Sequence, residues 1–280
     1  MKDVAIIGAG EVGGLLAHVL ARRDTAAEIR LIDESGRVAA GKALDITQSA
    51  PIEQFAARVS GATDISTAAG AAVIVLADRV SGGEWQGEDV LALLKQLNHL
   101  ASGAVLVGTG PSCRELVERG VRELHIPRAR LLGSAPEALA AALRAMIALE
   151  TDGSPQDIAL SIAGVPPSQI VVAWDDATIG GFAAARVLDE PTRRRLAARL
   201  PSLWPPGPYA LASAAAKVIE ALLGRSRRLA TCFVAPDDAA GVRMRTAALP
   251  VRLDSMGMAE VVLPTLSVHD RVALDNAMML

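Results

Sequence analysis

The clearest pattern of apolar and polar positions in this chain lies in its first 33 residues. The short apolar run Val4–Ile7 is followed by a turn with three glycines and then by apolar residues at helical spacing. A second, mostly apolar run, Ile29–Ile32, ends on Asp33. The pattern predicts a strand, a glycine turn, a helix, a second strand and a terminal acid, which is the order of a dinucleotide-binding βαβ unit.

The glycine turn is suited to hold a pyrophosphate. Gly8 permits a tight turn off the strand, Gly10 lets backbone N–H groups approach a phosphate, and Gly13 lets the helix pack close to the sheet. The start of the helix adds free N–H donors and partial positive charge. Asp33 follows Gly13 by twenty residues and can accept both ribose hydroxyls of an adenosine. Because a 2′-phosphate would be repelled there, the pattern favours NAD over NADP.

The predicted cofactor-binding set includes the turn and two strand ends. Its members are Gly8, Gly10, Glu11, Val12, Gly13, Asp33 and Ala77. Glu11 lies beside the expected phosphates, and we expect its side chain to point outward from the first helical turn, where an acid suits the helix dipole. Ala77 ends the apolar run Val73–Leu76, a predicted central strand. The alternative interpretation is a glycine-rich turn that binds nothing.

The two halves of the chain have different patterns. Up to residue 132, six strand candidates alternate with helices, which predicts a doubly wound parallel sheet, a Rossmann NAD-binding domain of residues 1–132. Residues 133–280 are predicted to form a C-terminal α+β domain with antiparallel strands. Its predicted elements are helices Pro136–Glu150 and Tyr209–Leu223 and strands Ile158–Ile162, Ile170–Trp174, Ala230–Ala235, Val242–Arg245, Ala247–Leu253 and Glu260–Pro264.

Composition narrows the classes of partner. Apolar residues make up 51% of the chain, but Phe, Trp and Tyr together number seven, so the core must consist of Ala, Leu, Val and Ile, as in a buried parallel sheet. The net charge of −3 argues against nucleic-acid or membrane-surface partners. Cys113 and Cys232 stand far apart, outside any metal-ligating spacing, so we expect no metal site and a cytoplasmic location. No apolar run approaches the roughly 20 residues of a membrane span.

In this order of elements, the chain resembles the NAD-dependent malate/lactate dehydrogenase family over nearly its whole length. Gly8–Gly13 matches the family's nucleotide turn, Gly41–Asp45 resembles the segment after the second strand, and Ala177–Gly181 matches a stretch after the catalytic histidine segment. The resemblance implies NAD as the cofactor, a small 2-hydroxy acid as the substrate, and a homo-oligomer that is a dimer or a tetramer.

The residues that perform the family's chemistry are replaced. In the family, a histidine takes a proton, an aspartate orients that histidine, two arginines bind and polarise the substrate, and an asparagine adds a hydrogen bond. The matching positions here hold Ser81 or Gly82 and Gly87 in the substrate loop, Gly110-Pro111 at the asparagine turn, Leu139 and Ala142 on the following helix, and Gly164–Ser168, which contains no histidine. The chain is therefore identified as a divergent member without catalytic residues.

Few groups remain that could act in their place. Asp78, Arg79 and Glu84 are the charged residues expected near the cleft. Trp85 is expected either to fold inward and fill the vacated substrate pocket or to pack against neighbours in its own loop. The four histidines are expected on helices or at the surface, and Arg144 is expected to point away from the site.

Three hypotheses follow. The first is an NAD(H)-binding pseudoenzyme with little or no malate or lactate dehydrogenase activity. The second is an oxidoreductase on another substrate, with Arg79 or a water relay supplying polarisation. The third is an interaction or regulatory subunit of a true dehydrogenase.

Overall fold

The fold is organised around one large sheet. The computed structural model describes residues 3–235 and 245–279. Six strands of the first half are parallel and lie in the order β3-β2-β1-β4-β5-β6. They are β1 (Val4–Ile7), β2 (Glu28–Ile32), β3 (Arg58–Ala62), β4 (Val73–Leu76), β5 (Val105–Gly108) and β6 (Leu131–Gly133). The strand order reverses between β1 and β4, which is where doubly wound sheets form a ligand crevice.

Helices connect these strands and cover the sheet. They are α1 (Glu11–Arg22), α2 (Gly36–Glu53), α3 (Gly87–Leu100), α4 (Cys113–Leu124) and α5 (Ala135–Thr151). In α1 the buried residues Val12, Leu16 and Leu20 are four positions apart, so they form one apolar face against the sheet. Strands β1, β4 and β5 are buried along their whole length, which explains their continuous apolar sequences. The predicted Rossmann-type sheet is confirmed.

The second half extends the same sheet with antiparallel strands. Its strands are β7 (Ile158–Ala159), β8 (Ile162–Val165), β9 (Gln169–Val172), β10 (Thr178–Ile179), β11 (Phe182–Ala183), β12 (Ala230–Val234), β13 (Ala247–Asp254) and β14 (Gly257–Val261). Its helices are α6 (Ala184–Val187), α7 (Glu190–Ala198), α8 (Pro208–Leu222) and α9 (Val268–Met279). Strand β12 joins β6 where Phe233 pairs with Gly133, and β13, β8 and β9 follow.

Two predicted strands are wrong in their bounds. The run Ile158–Ile162 is not one strand, because β7 pairs with β10 in a small sheet whereas β8 pairs with β13 and β9 in the large one. The last predicted strand, Glu260–Pro264, begins earlier as β14, because a tight turn ending at Gly257 folds it directly onto β13. Predicted strand Val242–Arg245 lies outside the described residues, apart from Arg245.

The buried apolar residues form two clusters. The larger one covers the parallel sheet and extends to α8, β12 and β13, and the smaller one lies between α5, α7 and the strands β7–β10. The predicted boundary between the two domains, which lies between residues 132 and 133, stays a prediction. Within residues 3–235 and 245–279, no helix is long and apolar enough to cross a membrane.

Candidate nucleotide site

The predicted cofactor-binding residues converge at the carboxyl edge of three neighbouring strands. Strand β1 lies between β2 and β4, so the glycine turn, Asp33 and Ala77 meet at one place. The N–H of Ala77 donates to the carbonyl of Ile7 at 2.9 Å, which continues the strand pairing to the start of the turn.

The backbone conformation and close contacts with neighbouring atoms require glycine at three positions of the turn. Gly8 has a φ of +113°, which side-chain-bearing residues rarely adopt. A Cβ at Gly13 would collide with the carbonyl oxygen of Gly8, and a Cβ at Gly10 would collide with the carboxylate of Asp78. Glu11 is exposed on the first turn of α1, as expected, and Val12 is buried beneath it.

Asp33 is buried, and its carboxylate already accepts hydrogen bonds from three backbone N–H groups. Its Oδ2 accepts the N–H of Ala9 at 2.9 Å and that of Val80 at 3.1 Å, and its Oδ1 accepts the N–H of Ser35 at 2.8 Å. A carboxylate offers about four acceptor sites, so one remains, and in this arrangement Asp33 can accept one ribose hydroxyl rather than the expected two. Asp33 therefore ties the glycine turn to β2 and to the loop after β4.

The carboxylate of Asp78 occupies the start of α1. Its Oδ2 accepts the N–H of Glu11 at 2.7 Å, and its Oδ1 accepts the N–H of Gly13 at 3.0 Å. The Asp78 carbonyl oxygen accepts the N–H of Gly10 at 2.8 Å. Donors that a phosphate would need are thus bonded to an internal acid.

Glu84, a second acidic residue of the same loop, accepts a hydrogen bond at the start of α4. Oε2 of Glu84 accepts the N–H of Ser112 at 2.9 Å, immediately before α4 begins, and a Cβ at Gly110 would collide with this carboxylate. Nε2 of Gln86 donates to Oγ of Ser112 at 3.0 Å. Residues 78–86 are thereby attached to the starts of both α1 and α4.

Trp85 combines the two expected placements, because it packs against the large core and also contacts Arg79 of its own loop. Its ring is half-buried against the large core, and with Glu84 and Thr109 it borders a space of only about 10 Å³. The guanidinium of Arg79 lies 4.6 Å from the centre of the Trp85 ring and 3.8 Å from the carboxylate of Asp89. Arg79 is thus engaged with its own loop and with α3.

An open cavity remains beside Asp33. Its volume is about 650 Å³, and it is lined by the ends of β1 and β2, the loop after β4, and one face of α3. Ile7, Ile32, Ile65 and Leu93 form apolar walls. A cavity of this size with apolar walls, next to the acid at the end of β2, has the character that a nucleoside site requires.

The positions expected to match the family's acid–base residues hold no acid–base side chain. Leu139 is fully buried in the smaller apolar cluster, and Ala142 is half-buried. Pro166 and Pro167 form the turn between β8 and β9. Arg144 is paired with the buried Glu137, as expected of a residue that points away from the site.

The four histidines do not lie at the carboxyl edge of the parallel sheet. His99 and His125 stand at the ends of α3 and α4, helices that begin at that edge and run away from it. His18 lies in the second half of α1, and His269 is almost fully exposed on α9.

These features define a class of protein. A doubly wound parallel sheet, a glycine turn at its switch point and an acid at the end of β2 belong to Rossmann-type nucleotide-binding proteins. Residues 2–98 match the family model described as the NAD-binding domain of lactate/malate dehydrogenase.

Malate dehydrogenases are similar to this chain beyond residue 98, over nearly its whole length. The malate dehydrogenase of Thioalkalivibrio sulfidiphilus is 31% identical over 209 residues, which cover 71% of this chain and 68% of that protein. The malate dehydrogenase of Salinibacter ruber is 26% identical over 295 residues, which cover 98% of this chain and 93% of that protein. This chain therefore belongs to the malate/lactate dehydrogenase family.

Solved structures share the fold. The malate dehydrogenase of Salinibacter ruber superimposes with a TM-score of 0.87 at 23% identity, covering 99% of this chain and 94% of that one. The lactate dehydrogenase of Cryptosporidium parvum, solved with lactic acid and NAD, also gives 0.87, at 19% identity and with the same coverage.

NAD is the cofactor of this family, and the chain carries its NAD-binding domain. The residues fit the cofactor in part. Asp33 and the cavity beside it suit the adenosine end. The pyrophosphate stretch does not fit the present arrangement, because the Asp78 carboxylate fills the space over Gly10 and holds the N–H groups of Glu11 and Gly13.

Proposed function

We propose that this protein is a member of the malate/lactate dehydrogenase family that has kept the NAD(H)-binding fold and has little or no malate or lactate dehydrogenase activity. It acts as a cofactor-binding or regulatory module. The observation that carries the proposal is the replacement of the family's acid–base and clamping positions by Leu139, Ala142 and the Pro166–Pro167 turn.

The surroundings of these positions support the proposal. A hydride and a proton leave a 2-hydroxy acid together, so a base must stand beside the hydroxyl, and losing such a group alone costs about 10²–10⁴ in rate. Leu139 and the proline turn cannot accept that proton. Glu84 is bonded to Ser112, and Arg79 is stacked on Trp85 and lies beside Asp89, so neither is free to take over proton transfer or polarisation. The idea of an active oxidoreductase based on Arg79 therefore gains no support from its contacts.

The test uses one sample for two measurements. Calorimetric titration with NADH is followed by turnover assays with malate, lactate and oxaloacetate. We expect binding without turnover. Turnover within the ordinary enzyme range of about 1–10³ s⁻¹ would contradict the loss of activity, and a sample that never binds NADH would contradict the retained cofactor function.

A subunit role is a second candidate, and one observation favours it. Leu44 and Ile52 on α2 and Tyr209 on α8 are large apolar side chains that are 59%, 83% and 72% exposed, and both helices pack on α1. Large exposed apolar side chains of this kind are suited to be buried by another subunit, either a second copy in a homo-oligomer (a dimer or a tetramer) or a true dehydrogenase. Native mass spectrometry tests this, since a monomer at micromolar concentration would exclude the homo-oligomer.

A cytoplasmic location is part of the same proposal. Cys113 and Cys232 are both buried and unpaired, which suits a reducing compartment.

A further inference from the structure

We propose that the Asp78 carboxylate is an internal competitor for the pyrophosphate of NAD and thereby sets how tightly the cleft holds the cofactor. The inference rests on the proposed retention of NAD binding and adds a specific residue that regulates it. Three features carry it: the donors that Asp78 uses, the space it fills, and the way in which its loop is anchored.

The donors are those on which a pyrophosphate depends. Of the six backbone N–H groups from Gly8 to Gly13, five are bonded within the chain. Gly8 donates to the carbonyl of Ile32, Ala9 to the carboxylate of Asp33, and Gly10 to the carbonyl of Asp78. Glu11 and Gly13 donate to the carboxylate of Asp78. The start of a helix binds phosphate because its first N–H groups lack partners. Here the Asp78 carboxylate supplies a negative charge and accepts two N–H groups of the first turn of α1, so the anion site of this helix is satisfied from within.

The Asp78 carboxylate also occupies the space beside Gly10 that a phosphate would need. Gly10 allows a phosphate to approach the backbone because it has no Cβ. In this chain the carboxylate of Asp78 lies in that opening, where a Cβ at Gly10 would collide with it. A phosphate oxygen cannot approach the same N–H groups while the carboxylate remains, and the like charges repel each other.

The loop keeps Asp78 in place. The N–H of Arg79 donates to the carbonyl of Gly83 at 2.8 Å, and the N–H of Val80 donates to Asp33 at 3.1 Å. Oγ of Ser81 bonds to Glu34, and Glu84 is bonded to Ser112. NAD can enter only if the Asp78 side chain rotates away or this anchored loop lifts.

Asp78 should weaken the binding of ligands that carry phosphate groups and leave the binding of adenosine unchanged. The cavity beside Asp33 is separate from the N–H groups that Asp78 holds, and it stays open at about 650 Å³. Adenosine needs only that cavity, whereas ADP and NADH also need the start of α1. Adenosine is therefore the internal reference for every affinity.

The experiment measures the affinities of adenosine, ADP and NADH by calorimetry in the wild type, Asp78→Ala and Asp78→Asn. Alanine removes the internal anion, and a charge-assisted hydrogen bond of this kind corresponds to about a tenfold to hundredfold change in an equilibrium constant. We expect Asp78→Ala to bind NADH and ADP tighter by about that factor, with adenosine unchanged within about threefold. Asparagine keeps the size but not the charge, so an intermediate gain is expected.

Asp45→Asn is the matched control. Asp45 is an exposed acid on α2, on the same side of α1 as Glu11, and it lies outside both the adenosine cavity and the N–H groups that Asp78 holds. Its substitution removes one negative charge near the start of α1, and all three affinities should stay within about threefold of the wild type because an exposed charge is screened. A gain in NADH affinity as large as that of Asp78→Ala would show that general charge, rather than the position of Asp78, is responsible.

The wild type alone gives an independent reading that does not depend on the folding of a variant. ADP should bind no tighter than adenosine. The inference is overturned if wild-type protein binds ADP at least about tenfold tighter than adenosine, as a free helix start would produce, or if Asp78→Ala does not tighten NADH binding. Malate or lactate turnover by the wild type would instead remove the proposed function and leave these affinity ratios unaffected.

Discussion

The carboxylate of Asp78 accepts the N–H of Gly13 at 3.0 Å, across 65 residues of sequence, and so joins the loop after β4 to the first turn of α1. The same carboxylate accepts the N–H of Glu11 at 2.7 Å. The chain therefore carries its own anion at the point where the fold of its family receives a pyrophosphate. Stability and cofactor affinity should depend on this contact in opposite directions.

Asp78→Ala should lower the free energy of unfolding while it tightens NADH binding. Two N–H groups at the start of α1 lose their acceptor, and a cap of this kind contributes about 1–2 kcal/mol. Urea denaturation measures the loss. Saturating NADH should restore stability, because a ligand that binds only the folded state stabilises it.

Asp189→Ala is the control for this prediction. Asp189 caps α7 by accepting the N–H of Thr192 at 2.9 Å, far from the cleft. Its substitution should lower stability without changing NADH affinity. A tighter NADH complex in Asp189→Ala would mean that loosening any helix start is sufficient, which would contradict the specific role of Asp78.

Glu84→Ala should open space over Gly110 without creating catalysis. The N–H of Ser112 loses its acceptor, so we expect a loss of about 1 kcal/mol in the free energy of unfolding. The variant should remain inactive towards malate and lactate, because Leu139 and the proline turn still lack acid–base groups. Dehydrogenase activity in Glu84→Ala would show that the closed cleft, rather than missing chemistry, keeps the wild type inactive.

Local sequence patterns were sufficient to predict the βαβ unit, but they could not predict which groups Asp78 contacts. The bounds of β1, α1 and β2 follow from periodicity and glycine spacing within 33 residues. The Asp78 contact depends on β4 pairing with β1, which no local pattern specifies. An acid directly after a buried central strand was the available signal, and it placed Asp78 near the cleft without indicating the helix that it caps.

The errors in the second half have a similar cause. The run Ile158–Ile162 has a continuous strand pattern, yet its two ends belong to different sheets. Pairing partners over 80 residues away, such as Ala248 for Gly164, determine where β8 lies. Short antiparallel strands therefore carry less positional information in their own sequence than the buried parallel strands of the first half.

Glu137→Ala should destabilise the fold strongly. The Glu137 side chain is 3% exposed, pairs with Arg144 and Lys217, and accepts the N–H of Thr231 at 2.8 Å. Removing it leaves two partly buried cations without their anion, which should cost about 3 kcal/mol. Chemical denaturation checks the value. The exposed pair of Glu190 and Arg194 is the control, and Glu190→Ala should change stability by less than about 1 kcal/mol.

The thiols should be unreactive in the folded protein. Burial raises the pKa of the Cys113 thiol to about 12, and burial also raises the pKa of Cys232 well above its ordinary value. At pH 8 both should resist a thiol reagent until denaturant is added, when two thiols should react. Fast labelling of the native protein would contradict this burial.

The same pKa shifts predict a pH dependence of stability. A thiol whose pKa is higher in the folded state favours folding below its unfolded pKa of about 8.5, and that contribution is lost as the pH rises. The free energy of unfolding should therefore fall between about pH 9 and pH 12, and replacing Cys113 by Ser should reduce the slope in that range.

The most direct test of the account is a single-turnover experiment with Asp78→Ala and wild-type protein, each in excess over NADH and mixed with oxaloacetate or pyruvate. Excess protein ensures that weak binding cannot hide slow chemistry, and the decay of NADH absorbance reports hydride transfer. The account predicts that NADH persists in both samples for as long as it does without protein. Loss of NADH at about 1 s⁻¹ or faster, the range of ordinary enzymes, would contradict the proposal that this chain has lost the chemistry of its family.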